Sequence, residues 1–399
     1  MKLPKLPLLV KILIAIGLGL LFGLFFPEWL TRIFATFSSI FASFLKFCVP
    51  LIILGLVAPG IADLGKNAGK LLLVTVVIAY GSTIFSGFMT YFSANAIYPI
   101  IDIGSESGNV DAANLGGNLL PPYFTIAIPP LFDVMTALVL AFMLGLGVSA
   151  VKGGGVTMKS FLSDLKGVVE ITISKVIIPL LPLHIFGMFL NMSTSGIATE
   201  IVSTFGKVLL VIIALHIILL LIQFLTAGGI AKKNPFKLLW NMLPAYATAL
   251  GTASSAATIP VTLRQAKKNG VDEDIADFCI PLCATIHLSG SALKITALAL
   301  AVCILNGYSY DIQTFAGFIM MLGVITVAAP GVPGGVIMAS MGILQSMLGF
   351  TDTDVALMIA IDLAIDNVAT ACNVTGDGAI AAVIDKIYGK KKTNPAITS

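Results

Sequence analysis

Charge is what this chain has least of. Only 11% of its 399 residues are Asp, Glu, Lys or Arg, against about a quarter in soluble domains. With 57% hydrophobic content and a mean hydropathy of +1.01, that shortage excludes a soluble globular chain and describes a polytopic membrane protein. The net charge is only +3, and the basic residues fall in short clusters between apolar segments, which excludes a nucleic-acid-binding patch. Cysteine is scarce too: Cys48, Cys279, Cys283, Cys303 and Cys372 are odd in number and lie in apolar segments, so no disulfide framework is expected. No Ser/His/Asp constellation, metal-ligand spacing or cofactor-binding domain is visible, which argues against an enzyme.

Lysine and arginine are missing altogether from 98–129, where Asp102, Glu106 and Asp111 stand. Lys2, Lys5 and Lys11 precede or open the first apolar run, and Lys66 and Lys70 separate the second from the third. By the positive-inside rule the N-terminus is cytoplasmic and the long loop external. The first run lacks a small-residue cleavage site and reads as a retained helix. Taking about 20 apolar residues per span, helices are expected near 8–26, 33–60, 70–97, 131–151, 171–193 and 199–229. The loop between the fourth and fifth would carry Lys152, Lys159 and Lys166.

Beyond residue 234 the spans become interrupted. The run Leu238–Leu263 is broken at LGTASSAATIP and flanked by Lys237 on one side and Arg264, Lys267 and Lys268 on the other. Like charge at both ends predicts a hairpin that enters and leaves on the cytoplasmic side. A broken helix near 274–305 follows, interrupted at ATIHLSGSALK, and then the uncharged run Ile312–Thr351 with AAPGVPGG at its centre. This second hairpin would enter from outside. The final helix, near 354–387, runs to Lys386 and a lysine cluster at 390–392, leaving both termini cytoplasmic. Paired interrupted segments of opposite orientation point to a transporter site at mid-membrane.

The final helix carries the polar row. At about 100° per residue, Asp362, Asp366, Ala369, Asn373 and Asp377 share one stripe, with Thr370 at its edge. Ionisable groups at that depth mark a substrate or ion path. His184 and His216, single in apolar helices, read as core residues, Lys207 as a snorkelling side chain, and Asp362 as a cap behind Asp366.

Five pieces resemble the glutamate-transporter, or dicarboxylate/amino acid:cation symporter, family: LKFCVPLIILGLVAPGIADLG, SSAATIPVTLRQAKKNG, PLCATIHLSGSALK, PGVPGG and NVTGD. The resemblance implies an all-α protein of eight transmembrane helices and two re-entrant hairpins, with inverted repeats, in a homotrimer. A scaffold (1–69 with helices one and two, 98–198 with the external loop and helices four and five) would hold a moving transport domain, as in an elevator. That domain would comprise 70–97, 199–234, the cytoplasmic-side hairpin 235–270, the broken helix 271–306, the gating hairpin 307–351 and helix eight with its tail, 352–399. It also implies a plasma-membrane location and an amino acid or small carboxylate cargo carried with sodium ions or protons, with no other cofactor.

Carried over by motif, Asp366 is the partner of a substrate amino group, and Thr370 and Asn373 are further polar contacts. Ser254, Ser255, Ser291 and the backbone at Gly331 and Val332 complete the implied pocket. Asp377, with carbonyls of Cys283, His287 and Asn373, matches one cation site; carbonyls near Thr285, Thr326, Val327 and Ala329 match a second. Two departures stand out. Members that carry acidic substrates have an arginine where this chain has Ala369 or Ala253, and a second buried carboxylate without a cation costs several kcal/mol. A small neutral amino acid is therefore expected, with an acidic amino acid or dicarboxylate as the alternative. The family's Asn-Met-Asp-Gly is His-Leu-Ser-Gly here, so Ser289 removes a ligand of the deepest cation site. Either Lys294 replaces that ion, or His287, whose free pKa is near neutral, makes coupling partly protonic. An anion-conducting channel or a transporter-derived sensor is the reading of another class.

Overall fold

In hydrocarbon every backbone N–H and C=O must find its partner within the protein, and helices achieve this within one segment. The computed structural model describes residues 8–63, 70–103, 119–132, 134–151, 155–196, 198–329 and 334–389, and the regular elements among them are all helical. They are α1 (Leu8–Phe22), α2 (Glu28–Asp63), α3 (Lys70–Ile97), α4 (Val134–Ala150), α5 (Val156–Thr172), α6 (Ile178–Thr194) and α7 (Ala198–Ala231). Then follow α8 (Pro235–Thr252), α9 (Ser255–Lys268), α10 (Glu273–Ile286), α11 (Ser289–Asn306), α12 (Ile312–Ala328), α13 (Gly335–Leu348), α14 (Asp352–Ala364) and α15 (Asp366–Tyr388).

The polar residues that punctuate the sequence set the helix ends. Asn234 caps α8 by accepting from the Lys237 amide, with Pro235 at the first helical position, where a missing N–H costs nothing. Asp311 caps α12 through the Thr314 amide, and Thr351 and Asp354 form a reciprocal capping box on α14. Gly307 and Gly349 end α11 and α13 at positive φ.

Two groups of helices pack mainly among themselves. In the first, α2 lies along α4, α5 and α6, and α1 lies along α6. A Cβ on Gly19 would stand 2.8 Å from the Phe186 carbonyl, and one on Gly23 would stand 2.3 Å from the Ser193 Cβ. These two small residues, four apart, let the α1 and α6 backbones touch. In the second group α15 is central, packed by α7, α8, α9, α10 and α11, while α3 and α12 close the outside. α11 is buried without a break from Ser289 to Cys303, as expected of a helix that is apolar on nearly all sides.

The surface is inverted relative to a soluble protein. Leu73, Val77, Leu210 and Trp240 are 60–72% exposed, whereas Lys294, Asp362 and Asp377 are at most 1% exposed. An apolar exterior around a charged interior is what a membrane protein requires. Among the described residues five helices are long and apolar enough to cross a bilayer, and the α14–α15 pair makes a sixth if counted as one bent span.

Three details differ from the sequence expectation. The stretch expected as a loop with Lys159 and Lys166 is the helix α5, with Leu162 and Val169 inward and Lys159 exposed. It continues through a π turn at Ile173–Ile177 into α6, giving one 39-residue helical run. α1 and α4, at 15 and 17 residues, are shorter than the ~20 that span a bilayer unaided. The final helix is not continuous: α14 and α15 meet at Ile365 with a 62° bend, so the polar row is split between Asp362 and Asp366. At the bend the Asp362 carbonyl accepts from the Ile365 amide at 3.2 Å and from the Lys294 ammonium at 3.1 Å, the kind of side-chain insertion into the ladder that accompanies kinks.

Candidate functional site

Three helix breaks lie among the helices that pack on α15. The first is the hairpin turn between α8 and α9, where Ala253 takes the left-handed conformation at φ 48° and Ser254 caps α9 through the Ala257 amide. α8 and α9 fold back along one another and both pack on α15. The second is His287–Leu288 between α10 and α11, and the third is Ile365 between α14 and α15.

At the third break sits a charged triad. Lys294 reaches from α11 to Asp362 Oδ2 at 2.9 Å and Asp366 Oδ1 at 2.8 Å. An ammonium has three protons, and with the Asp362 carbonyl all three are engaged. The other oxygen of Asp366 accepts from the backbone N–H of Gly334, at 3.0 Å, in the segment joining α12 to α13. Asp362 Oδ1 is buried with no hydrogen-bond partner among the described residues. Asp366 therefore ties three elements together, and Asp362 keeps one acceptor in reserve.

At the second break Asn373 takes the role of a cap. Its Oδ1 accepts from the Gly290 amide at 2.7 Å and its Nδ2 donates to Ser291 Oγ at 3.0 Å. A Cβ on Gly290 would lie 2.7 Å from the Ala369 carbonyl, so only glycine lets α11 approach α15 this closely. His216 of α7 donates from Nε2 to the Gly290 carbonyl at 3.0 Å.

A second buried network surrounds Asp377. His287 Nδ1 is 2.9 Å from Asp377 Oδ1, and both side chains are at most 1% exposed. A carboxylate only accepts, so Nδ1 carries the proton and a neutral ring offers Nε2 to the Ser82 hydroxyl, 3.1 Å away. Gln223 of α7 donates to Ser82 Oγ at 3.1 Å and Ser289 Oγ at 3.0 Å, and Ser86 donates to the Ser289 carbonyl. Asp377 Oδ2 and Gln223 Oε1 have no hydrogen-bond partner among the described residues. A buried carboxylate oxygen without a proton donor is the donor type that a hard cation prefers.

The expected residues divide accordingly. Asp366, Asn373, Ser291 and Thr370 are buried in the α11–α15 region, with Ala369 fully buried behind them. Ser255 is buried and Ser254 half-buried at the hairpin turn. Gly331 and Val332 lie outside the described residues. Of the first cation set, the Cys283 carbonyl accepts from the His287 amide, and the His287 ring meets Asp377. In the second set Thr285 is exposed, with its hydroxyl on the Leu282 carbonyl. Thr326 is fully buried and donates to Gly323, and Val327 and Ala329 follow it at the end of α12.

Gln223, Ser82 and Ser86 went unnoticed in the sequence. Gln223 had a signal: it is a lone amide inside the apolar run of α7, IILLLIQFLTAGG, where a polar side chain is costly without a partner. Ser82 and Ser86 had none, since serine on a membrane helix can bond its own backbone.

Comparison with known proteins bears on this arrangement. Residues 8–387 match the sodium:dicarboxylate symporter family. A serine/threonine transporter of Acinetobacter baylyi is 28% identical over 399 residues, covering 96% of this chain and 98% of the relative. Its counterpart in Acinetobacter baumannii is 27% identical over 392 residues, with 96% and 97% covered. With a match running over almost the whole chain, the protein belongs to the sodium:dicarboxylate symporter family of membrane transporters.

Proposed function

We propose that this protein is a cation-coupled symporter of a small neutral amino acid, with serine and threonine, named for the relatives above, as the first candidates. The observation that carries this is the saturated ammonium of Lys294. It is the one buried lysine or arginine among the described residues, and its three protons are taken by Asp362 and Asp366. Positions 253 and 369 are alanines. A second substrate carboxylate would find no unpaired cation, and burying it so costs several kcal/mol. The substrate's amino group is assigned to Asp366, whose oxygens each retain a lone pair. Its carboxylate is assigned to the first-turn N–H groups of α9 beside Ser254 and Ser255, a helix N-terminus suited to an anion.

Asp377 is assigned to a coupling cation, sodium or a proton, with the carbonyls near Thr285, Thr326, Val327 and Ala329 as a second cation position. The segment around Gly334, with Gly331 and Val332, is assigned to a gate. The two packing groups fit a scaffold and a transport domain in an elevator within a homotrimer, residing in the plasma membrane with both termini cytoplasmic. Between these groups lies a cavity of about 360 Å³, lined by Ser38 and Ser39 of α2, His184 and Asn191 of α6, and Asp352 and Thr353 of α14. A boundary so loosely filled is compatible with sliding, because close-packed interiors resist it.

The test is uptake into proteoliposomes of labelled serine, threonine, alanine and aspartate under an inward sodium gradient, an inward proton gradient, or neither. Accumulation of a neutral amino acid under a cation gradient is expected. Accumulation of aspartate would overturn the specificity assignment, and equilibration without accumulation would overturn symport in favour of a channel.

A further inference from the structure

The Lys294 triad contains more than is needed to neutralise a carboxylate. Its ammonium sits 2.8 Å from the oxygen of Asp366 that the substrate's own ammonium would seek. It is also anchored twice to Asp362, through Oδ2 and the main-chain carbonyl. The remaining oxygen of Asp362 is buried and has no partner among the described residues. Buried acceptors are rarely left so, and this one belongs to a carboxylate already bound to the same ammonium.

We propose that Lys294 is a tethered stand-in for the substrate's amino group. In the empty protein its third N–H lies on Asp366. When substrate arrives, that N–H moves to Asp362 Oδ1, while the other two bonds persist. The lysine thus passes between two carboxylates without leaving either uncompensated, and no proton or covalent bond changes hands. The other oxygen of Asp366 holds the Gly334 amide. With Lys294 in place, Asp366 has a donor on each oxygen even without substrate, so the empty carrier can return with its buried carboxylate compensated. Lys294 is then a positioning residue for the empty half of the cycle. This inference rests on the assignment of Asp366 to the substrate's amino group.

The experiment compares two modes in proteoliposomes with labelled serine: net uptake into vesicles without internal substrate, and exchange against preloaded serine. Only net uptake requires the empty carrier to return. Lys294→Gln and Lys294→Met should lower net uptake at least about tenfold more than exchange, since an unpaired buried carboxylate costs several kcal/mol. Lys294→Arg should keep the ratio of the two modes near that of the wild type. Asp362→Asn provides a second test: it weakens the alternative acceptor, so Lys294 stays on Asp366 and the KM for serine should rise about tenfold, the scale of a charged hydrogen bond. Equal losses in both modes for the Gln and Met variants would overturn the proposal, as would an unchanged KM for Asp362→Asn. If the lysine variants do not fold, the Asp362→Asn result decides alone. Absence of both modes in the wild type would instead remove the transport reading itself.

Discussion

Asp366 and Asp377 stand on the same helix, both nearly out of reach of water, yet they are compensated in opposite ways. Asp366 faces a lysine, a charge that is permanent under physiological conditions, and a backbone amide from another segment. Asp377 faces an imidazole, and one of its oxygens has no hydrogen-bond partner among the described residues. The first carboxylate has a donor on each oxygen; the second has one on a single oxygen among the described residues. Under the proposed assignments, an ammonium group at one carboxylate and a small cation at the other call for this asymmetry.

The strongest way to break the comparison is to neutralise each carboxylate in turn. Asp366→Asn should reduce serine accumulation by about 100-fold or more, the scale of truncating one partner of a buried charge pair. Asp377→Asn should leave serine binding in place while weakening its dependence on the coupling cation. Binding titrations with and without sodium separate the two, and identical phenotypes would erase the distinction.

A milder perturbation sharpens the Asp377 side. Gln223→Leu leaves the Ser82 and Ser289 hydroxyls without their amide donor and should destabilise the detergent-solubilised protein by about 1–3 kcal/mol, read as a lower melting temperature. Its effect on serine affinity should be smaller than that of any change at Lys294, because the amide touches the His287 network and not the triad.

The smallest effect is expected outside the membrane, where a carboxylate needs no buried partner. Asp311, capping α12, is held at about 2, below the ordinary 3.8, chiefly by the Ser309 hydroxyl and then by the Thr314 amide and hydroxyl. A depressed folded value means that the ionised cap contributes above about pH 4 and is lost as pH falls through 2. A spin label at position 313 should therefore gain mobility over that acid range, and Asp311→Asn should flatten the response.

Much of this architecture could be read from charge punctuation. Lysines on both sides of Leu238–Leu263 marked the break between α8 and α9, because a bilayer makes charge and broken backbone so costly that they become signposts. The break at His287–Leu288 was legible for the same reason. The bend at Ile365 was not, since AIDLAIDNVAT has no glycine or proline to announce it; the side chain that accompanies it, Lys294, is far away in the chain. The helical nature of α5 was hidden by its lysines, which mark the edge of the membrane and not the end of a helix. Asp362 looked like a cap behind Asp366 because helical spacing put them on one face. Their convergence on one ammonium is a tertiary fact.

The triad also has a meaning in the language of membrane voltage. With both carboxylates ionised, the ammonium and its two partners sum to a single negative charge, where the same pocket without Lys294 would carry two. If the empty pocket crosses the full field, each elementary charge is worth about 2.3 kcal/mol per 100 mV. With the cell interior negative, that residual charge is driven outward. The resting potential would then help to return the unloaded site to the side from which substrate is collected, and the lysine sets how strongly it pulls.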